Sequence, residues 1–146
     1  MANEKLNTEL NQLLSDFHIY YQNTRGFHWN IKGKKFFELH VKFEELYTEA
    51  LTAIDEIAER MLAIGGAPLH TFEDYLKTSK LTVYKGVSED VSTVEAIVST
   101  LGEIVKQENV VKEIAAEAGD SETEDMMIAL INQQQKHIWM FNSWLG

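Results

Sequence analysis

His28, His40, Asp55 and Glu59, with Glu44 one helical turn after His40, have the side chains and the spacing of a metal-ligand set. Carboxylates with imidazoles suit iron, manganese or zinc, since Asp and Glu favour hard cations and imidazole favours borderline first-row ions. His40, Asp55 and Glu59 read as parts of one continuous helix, on which His40 and Glu44 share a face, as do Asp55 and Glu59. A rise of about 1.5 Å per residue puts His40 roughly 22 Å from Asp55, whereas the first shell around an ion spans only about 4 Å. One copy of the chain therefore cannot close these groups on a single ion. A second copy must supply the missing half. Antiparallel pairing of this helix with its two-fold mate, centred near Thr48, brings His40 close to the partner's Asp55 and the partner's Glu59, and the symmetry makes two equivalent sites.

The elements that must hold these residues follow from apolar period. One proline, Pro68, leaves long segments without an obligate helix breaker. Leu6, Leu10, Leu13, Phe17, Tyr20, Thr24 and Phe27 step by four and three, predicting a helix over 3–30. A turn over 31–35 around Gly33 follows, and His28 and His40 flank it at nearly equal levels, so both could face one ligand. Leu39, Phe43, Leu46, Ala50, Ala53, Ile57, Met61 and Ile64 mark the second helix, ended by Gly65, Gly66 and Pro68. The second helix also has apolar surface off its core stripe, at Tyr47, Leu51, Ala58 and Leu62, which suits burial against a partner. Residues 65–86 read as a long crossover with a short helix over 72–77. Ser88 is the expected cap of a third long helix with Val91, Val94, Val98, Leu101, Val105, Val111 and Ile114 on its stripe. Ser121 with Glu124 reads as a capping box opening a fourth, whose stripe is Met127, Leu130, Gln134, His137, Phe141 and Trp144. Short, long and short connections make an all-α, antiparallel four-helix bundle with one crossover, the connectivity of ferritin-like folds. A single such domain over 1–146 accounts for the whole chain.

Composition narrows the partners. Thirteen Lys and Arg against 23 Asp and Glu leave a formal charge of −10, which on average repels nucleic acid and anionic membranes and favours cations. The absence of cysteine removes thiolate metal sites and disulfides and is compatible with a reducing cytosol. No apolar run reaches the roughly 18 residues of a membrane span, and the opening residues lack a signal-like apolar stretch, so a cytoplasmic protein is expected. A metal site inside one subunit's bundle would need Glu-x-x-His on two helices. The residues three before the five histidines are Ser15, Arg25, Phe37, Ala67 and Gln134, none of them acidic. His18, His70 and His137 are read as structural.

The run His28-Trp29-Asn30, with His40, Asp55 and Glu59 at the following offsets and then Met61-Leu62-Ala63-Ile64-Gly65-Gly66-Ala67-Pro68, resembles the Dps family, the miniferritins of bacteria and archaea. Lys136-His137-Ile138-Trp139-Met140-Phe141 carries the likeness across nearly the whole chain. The resemblance implies a dodecameric homo-oligomer forming a hollow shell, with ferroxidase centres at the two-fold interfaces. In that family Fe(II) is oxidised, preferably by hydrogen peroxide rather than dioxygen, and the ferric (Fe3+) product is stored as oxide, which protects against oxidative stress. Carried over, His28 and His40 are imidazole ligands, Asp55 and Glu59 are the partner subunit's carboxylates, and Glu44 is a residue around the ligands or at a second metal. Trp29 is either an acceptor of oxidising equivalents or an aromatic wedge at the interface. Acidic three-fold pores near the start of the last helix imply a candidate iron gate among Asp120, Glu122, Glu124 and Asp125; ordinary N-terminal charge favouring the helix dipole is the competing reading. Members that compact DNA resemble one another in a Lys-rich extension. Here Lys5 is the only Lys or Arg before Arg25 and the sequence given stops at Gly146, so DNA binding is not expected. The alternatives are a helical assembly protein with zinc or no metal at the interface and, less favoured, a DNA-compacting nucleoid protein.

Overall fold

The computed structural model describes residues 3–146. In chain order the helices are α1 (Glu4–Asn30), α2 (Phe36–Ala63), the short α3 (Phe72–Thr78), α4 (Asp90–Glu117) and α5 (Ser121–Leu145), with no strand among the described residues. Local chemistry sets most of the boundaries. The Asn3 side chain accepts from the Leu6 amide and starts α1. Gly33 takes φ 114° in the α1–α2 turn, a backbone region that side chains with a Cβ rarely adopt. α2 and α4 end in the same way. Gly65 and Gly119 have φ 82° and 72°, and the following amides of Gly66 and Asp120 return to the carbonyls of Met61 and Ala115 at 2.7 and 2.9 Å.

Neighbouring long helices run antiparallel around one core. α1 packs on α2 and α4, and α4 on α5. The gap between α2 and α5 is bridged by side chains: Arg60 donates to Asp120 and Thr123 at one end, and Glu49 meets His137 at 2.6 Å midway. The expected stripes of α1 and α5 are buried apart from the half-buried Trp144, and so is that of α2 apart from the half-buried Ile64 beyond its end. Three expectations need correction. Ser88 does not cap α4: Glu89 occupies the cap position, and the Ser88 carbonyl instead accepts from the Lys32 amide, tying the crossover to the α1–α2 turn. Ser121 does not open a capping box, because it is already helical and Asp120 caps α5 by accepting from the Thr123 amide. On α4 the buried face is Val94, Ile97, Leu101, Ile104, Val111 and Ile114, whereas Val91 is exposed and Val98 and Val105 lie at its margin.

The crossover is held by a ladder of polar side chains on α1. Asn7 accepts from the Ala67 amide, Asn11 pairs with the backbone of Ala67 and Leu69, Asp16 accepts from Ser79 and Lys80, and Asn23 pairs with Thr82 and Tyr84. A connection with no ladder of its own must satisfy its backbone in this way. α3 is thereby laid against α1, where the His18 ring stacks on Tyr75 at 3.8 Å. Burial pushes the His18 imidazole down to about 4, so it is neutral at pH 7. No helix is long and apolar enough to cross a membrane among the described residues.

Candidate metal centre

The last turn of α1 and the first turns of α2 meet at the Gly33 turn, and that contact positions the two histidines. Their rings stack with centroids 3.7 Å apart and planes 13° from parallel. The His28 Nδ1 lies 2.6 Å from the His40 carbonyl oxygen, and the His40 Nδ1 lies 2.7 Å from the His28 carbonyl oxygen. A carbonyl can only accept, so both Nδ1 atoms carry a proton, and in the neutral form of each ring the lone pair lies on Nε2. That is the tautomer a metal needs, fixed by second partners as in established imidazole sites. Phe36 stacks on His40 at 4.8 Å, and Tyr47 meets His28 edge-on at 5.3 Å. Packing thus locks both rings.

Glu44 stands one turn along α2 with Oε1 3.6 Å from the His28 Nε2. That distance is too long for a good hydrogen bond and leaves room for an ion between the two groups. Asp55 and Glu59 are exposed on the outer side of α2. A hydrogen bond with Asp55 and the nearness of its charge raise the Glu59 pKa, as happens when two carboxyls stand side by side. The structure brings together His28, His40 and Glu44 and leaves Asp55 and Glu59 as a separate pair farther along the same helix. Among the described residues, no group of three His, Asp or Glu side chains is close enough to hold a metal ion.

At about 100° per residue, His40, Glu44, Asp55 and Glu59 all fall within an arc of roughly 100° on the outer face of α2. Leu51, 52% exposed, and Leu62, 61% exposed, lie in the same arc, and Trp29, beside His28, is 59% exposed. Donors and unpartnered apolar side chains therefore share one face. The Trp29 ring is covered on one side by the Arg25 guanidinium, 4.9 Å from its centroid.

Asp120 is committed to the fold. Although burial opposes its charge, hydrogen bonds from Thr123 and Arg60 hold its carboxyl below the usual range. Glu122 and Asp125 are exposed and Glu124 half-buried on the first turns of α5. His137 is hydrogen-bonded to Glu49, and His70 is exposed. Sequence reasoning missed Glu108, which is fully buried on α4 beside the side-chain amide of Gln134.

Residues 7–146 match the Ferritin family, described as a ferritin-like domain. The chain is 39% identical over 146 residues to DNA protection during starvation protein 2 of Bacillus anthracis, with 99% of each chain covered. The chain belongs to the Dps family of ferritin-like proteins. The crystal structure of Dps from Vibrio cholerae O1, a member of a broad superfamily of ferritin-like diiron-carboxylate proteins, superposes with a TM-score of 0.96 at 41% identity, covering 98% of this chain and 90% of that one. Dps from Staphylococcus aureus gives 0.95 at 40% identity, with 99% and 97% covered. The Dps fold is thus matched along the entire bundle, crossover included.

Proposed function

We propose that this Dps-family chain is an iron-storing miniferritin whose ferroxidase centres form between two copies. In each centre His28 and His40 bind Fe(II) through Nε2, while the partner's Asp55 and the partner's Glu59 supply carboxylates and Glu44 serves a second ion. The observation that carries this reading is the reciprocal bonding of the two imidazoles, which leaves two nitrogen lone pairs presented beside an apolar face. A set with so few protein ligands leaves coordination positions for the oxidant, hydrogen peroxide in preference to dioxygen. The ferric product is stored as oxide inside a dodecameric shell, and Glu124 and Asp125 draw Fe(II) inward through their negative field. The same donors suit zinc, which generally outcompetes Fe(II) at nitrogen and oxygen sites. Duplex DNA is not a partner in this reading, because a charge of −10 per chain repels a phosphate backbone; a gel shift at physiological salt contradicts that.

Anaerobic loading with Fe(II), followed by peroxide, tests the proposal through the rise of ferric absorbance. His40→Ala and Asp55→Ala should each slow the rise by about a hundredfold, the typical loss when a metal-site group is removed. Rates unchanged from the unsubstituted chain would refute the assignment.

A further inference from the structure

The two imidazoles of the metal centre are held unequally. His28 is buried and is met edge-on by Tyr47 at 5.3 Å, with ring planes 77° apart. His40 stands half-buried near the start of α2. One of its faces is taken by His28, whose ring is 13° from parallel. Phe36 also lies nearly parallel to His40, 19° away with centroids 4.8 Å apart. Two flat rings cannot share one face at such distances, so Phe36 covers the face that His28 leaves open. The sequence builds that cover locally. Phe36 opens α2, its amide donating to the Gly33 carbonyl at 3.1 Å, and the four-residue step to His40 puts both side chains on one side of the helix. Phe37 meets the Phe36 ring edge-on at 5.4 Å, and the bundle core backs it. The ring is thus fixed in place by the chain itself.

We infer that Phe36 is a positioning residue of the metal centre: its ring holds His40 in the ligating orientation and stabilises the positive charge that an ion at Nε2 lends to the imidazole. The inference rests on the role proposed above for His40. Its physical basis is twofold. An imidazole already immobilised loses no rotamer freedom when it binds. The face of a phenyl ring carries negative potential, which attracts a cation within about 6 Å of the ring centroid. An aliphatic side chain at position 36 offers neither the flat wall nor that potential.

Zn(II) is the probe, since it takes the same donors and undergoes no redox change. It is titrated calorimetrically into the unsubstituted protein, Phe36→Leu, Phe36→Tyr and His40→Ala, and the binding that His40→Ala loses defines the site. Phe36→Leu should bind Zn(II) there about tenfold more weakly, the low end of the loss when a group supporting a ligand is removed. Phe36→Tyr keeps the flat ring and should stay within about twofold of the unsubstituted protein. Urea unfolding of the same metal-free proteins reports the packing of position 36 separately. A Phe36→Leu chain that is less stable yet binds Zn(II) as tightly as the unsubstituted protein would overturn the positioning role, and so would a Phe36→Tyr chain as weak as Phe36→Leu. Unchanged Zn(II) binding in His40→Ala would overturn the metal reading of His40 itself, and the inference with it.

Discussion

Glu108 is the residue whose chemistry is most altered by its surroundings. Burial in the core, with Gln134 as its neighbour, pushes its carboxyl up to about 9 from an ordinary 4.5. The folded chain therefore holds a proton that the unfolded chain releases, and stability falls as pH rises from about 4.5 through about 9. Glu108→Gln keeps the shape and removes the titration, so at pH 8 it should raise the unfolding free energy by on the order of 1–3 kcal/mol and flatten its pH dependence. Urea denaturation at pH 5 and pH 8 checks this; an equal pH slope in both chains contradicts it. At this scale the sequence is partly legible. The nearly equal levels of His28 and His40 on either side of the Gly33 turn are enough to predict that both can face one ligand. The buried carboxylate is not visible, because on α4 two apolar sets at sevenfold spacing compete, Val91, Val98 and Val105 against Ile97, Ile104 and Val111. Only tertiary packing chooses the second and turns Glu108 inward.

Among the elements, the junction after α2 and the start of α5 carry the sharpest constraints. A Cβ on Gly66 would stand 2.6 Å from the Asn7 Oδ1 and 3.0 Å from the Met61 carbonyl oxygen. Asn7 holds the Ala67 amide at 2.9 Å, so Gly66→Ala must break that bond or move the backbone. A loss of about 1–3 kcal/mol is expected by thermal or urea unfolding, and a neutral result contradicts the packing. Asp120→Ala removes both the α5 cap and the 2.8 Å ion pair with Arg60, and should cost about 1–2 kcal/mol. Asp125→Asn, on the exposed side of the same turn, should leave stability within about 0.5 kcal/mol while slowing iron uptake. Helix number, order and the long crossover were legible from apolar period and from Gly65, Gly66 and Pro68. The caps were not, since Ser88 and Ser121 each stand one residue from the true cap and either register satisfies the local rule. Nor was the anchoring ladder, because Asn7, Asn11, Asp16 and Asn23 read as ordinary polar positions until a crossover lies on them.

For the whole molecule, geometry forces the argument outward from one chain. The two imidazoles where α1 meets the start of α2 and the two carboxylates farther along α2 do not share an ion within one chain, and the apolar Leu51 between them is exposed. With a chain mass of 16.7 kDa, a twelve-subunit shell should scatter light as a particle of about 200 kDa. A mass of one or two chains would leave no enclosed volume for mineral. The most direct measurement is complementation between two inactive variants. In a pair formed by one His40→Ala chain and one Asp55→Ala chain, one centre carries both lesions and the other carries neither. Coassembly of the two variants in equal amounts should restore about one quarter of the ferroxidase rate of the unsubstituted protein, because half the pairs are mixed and each mixed pair has one intact centre. A coassembled sample no more active than either variant alone would contradict a centre shared between subunits.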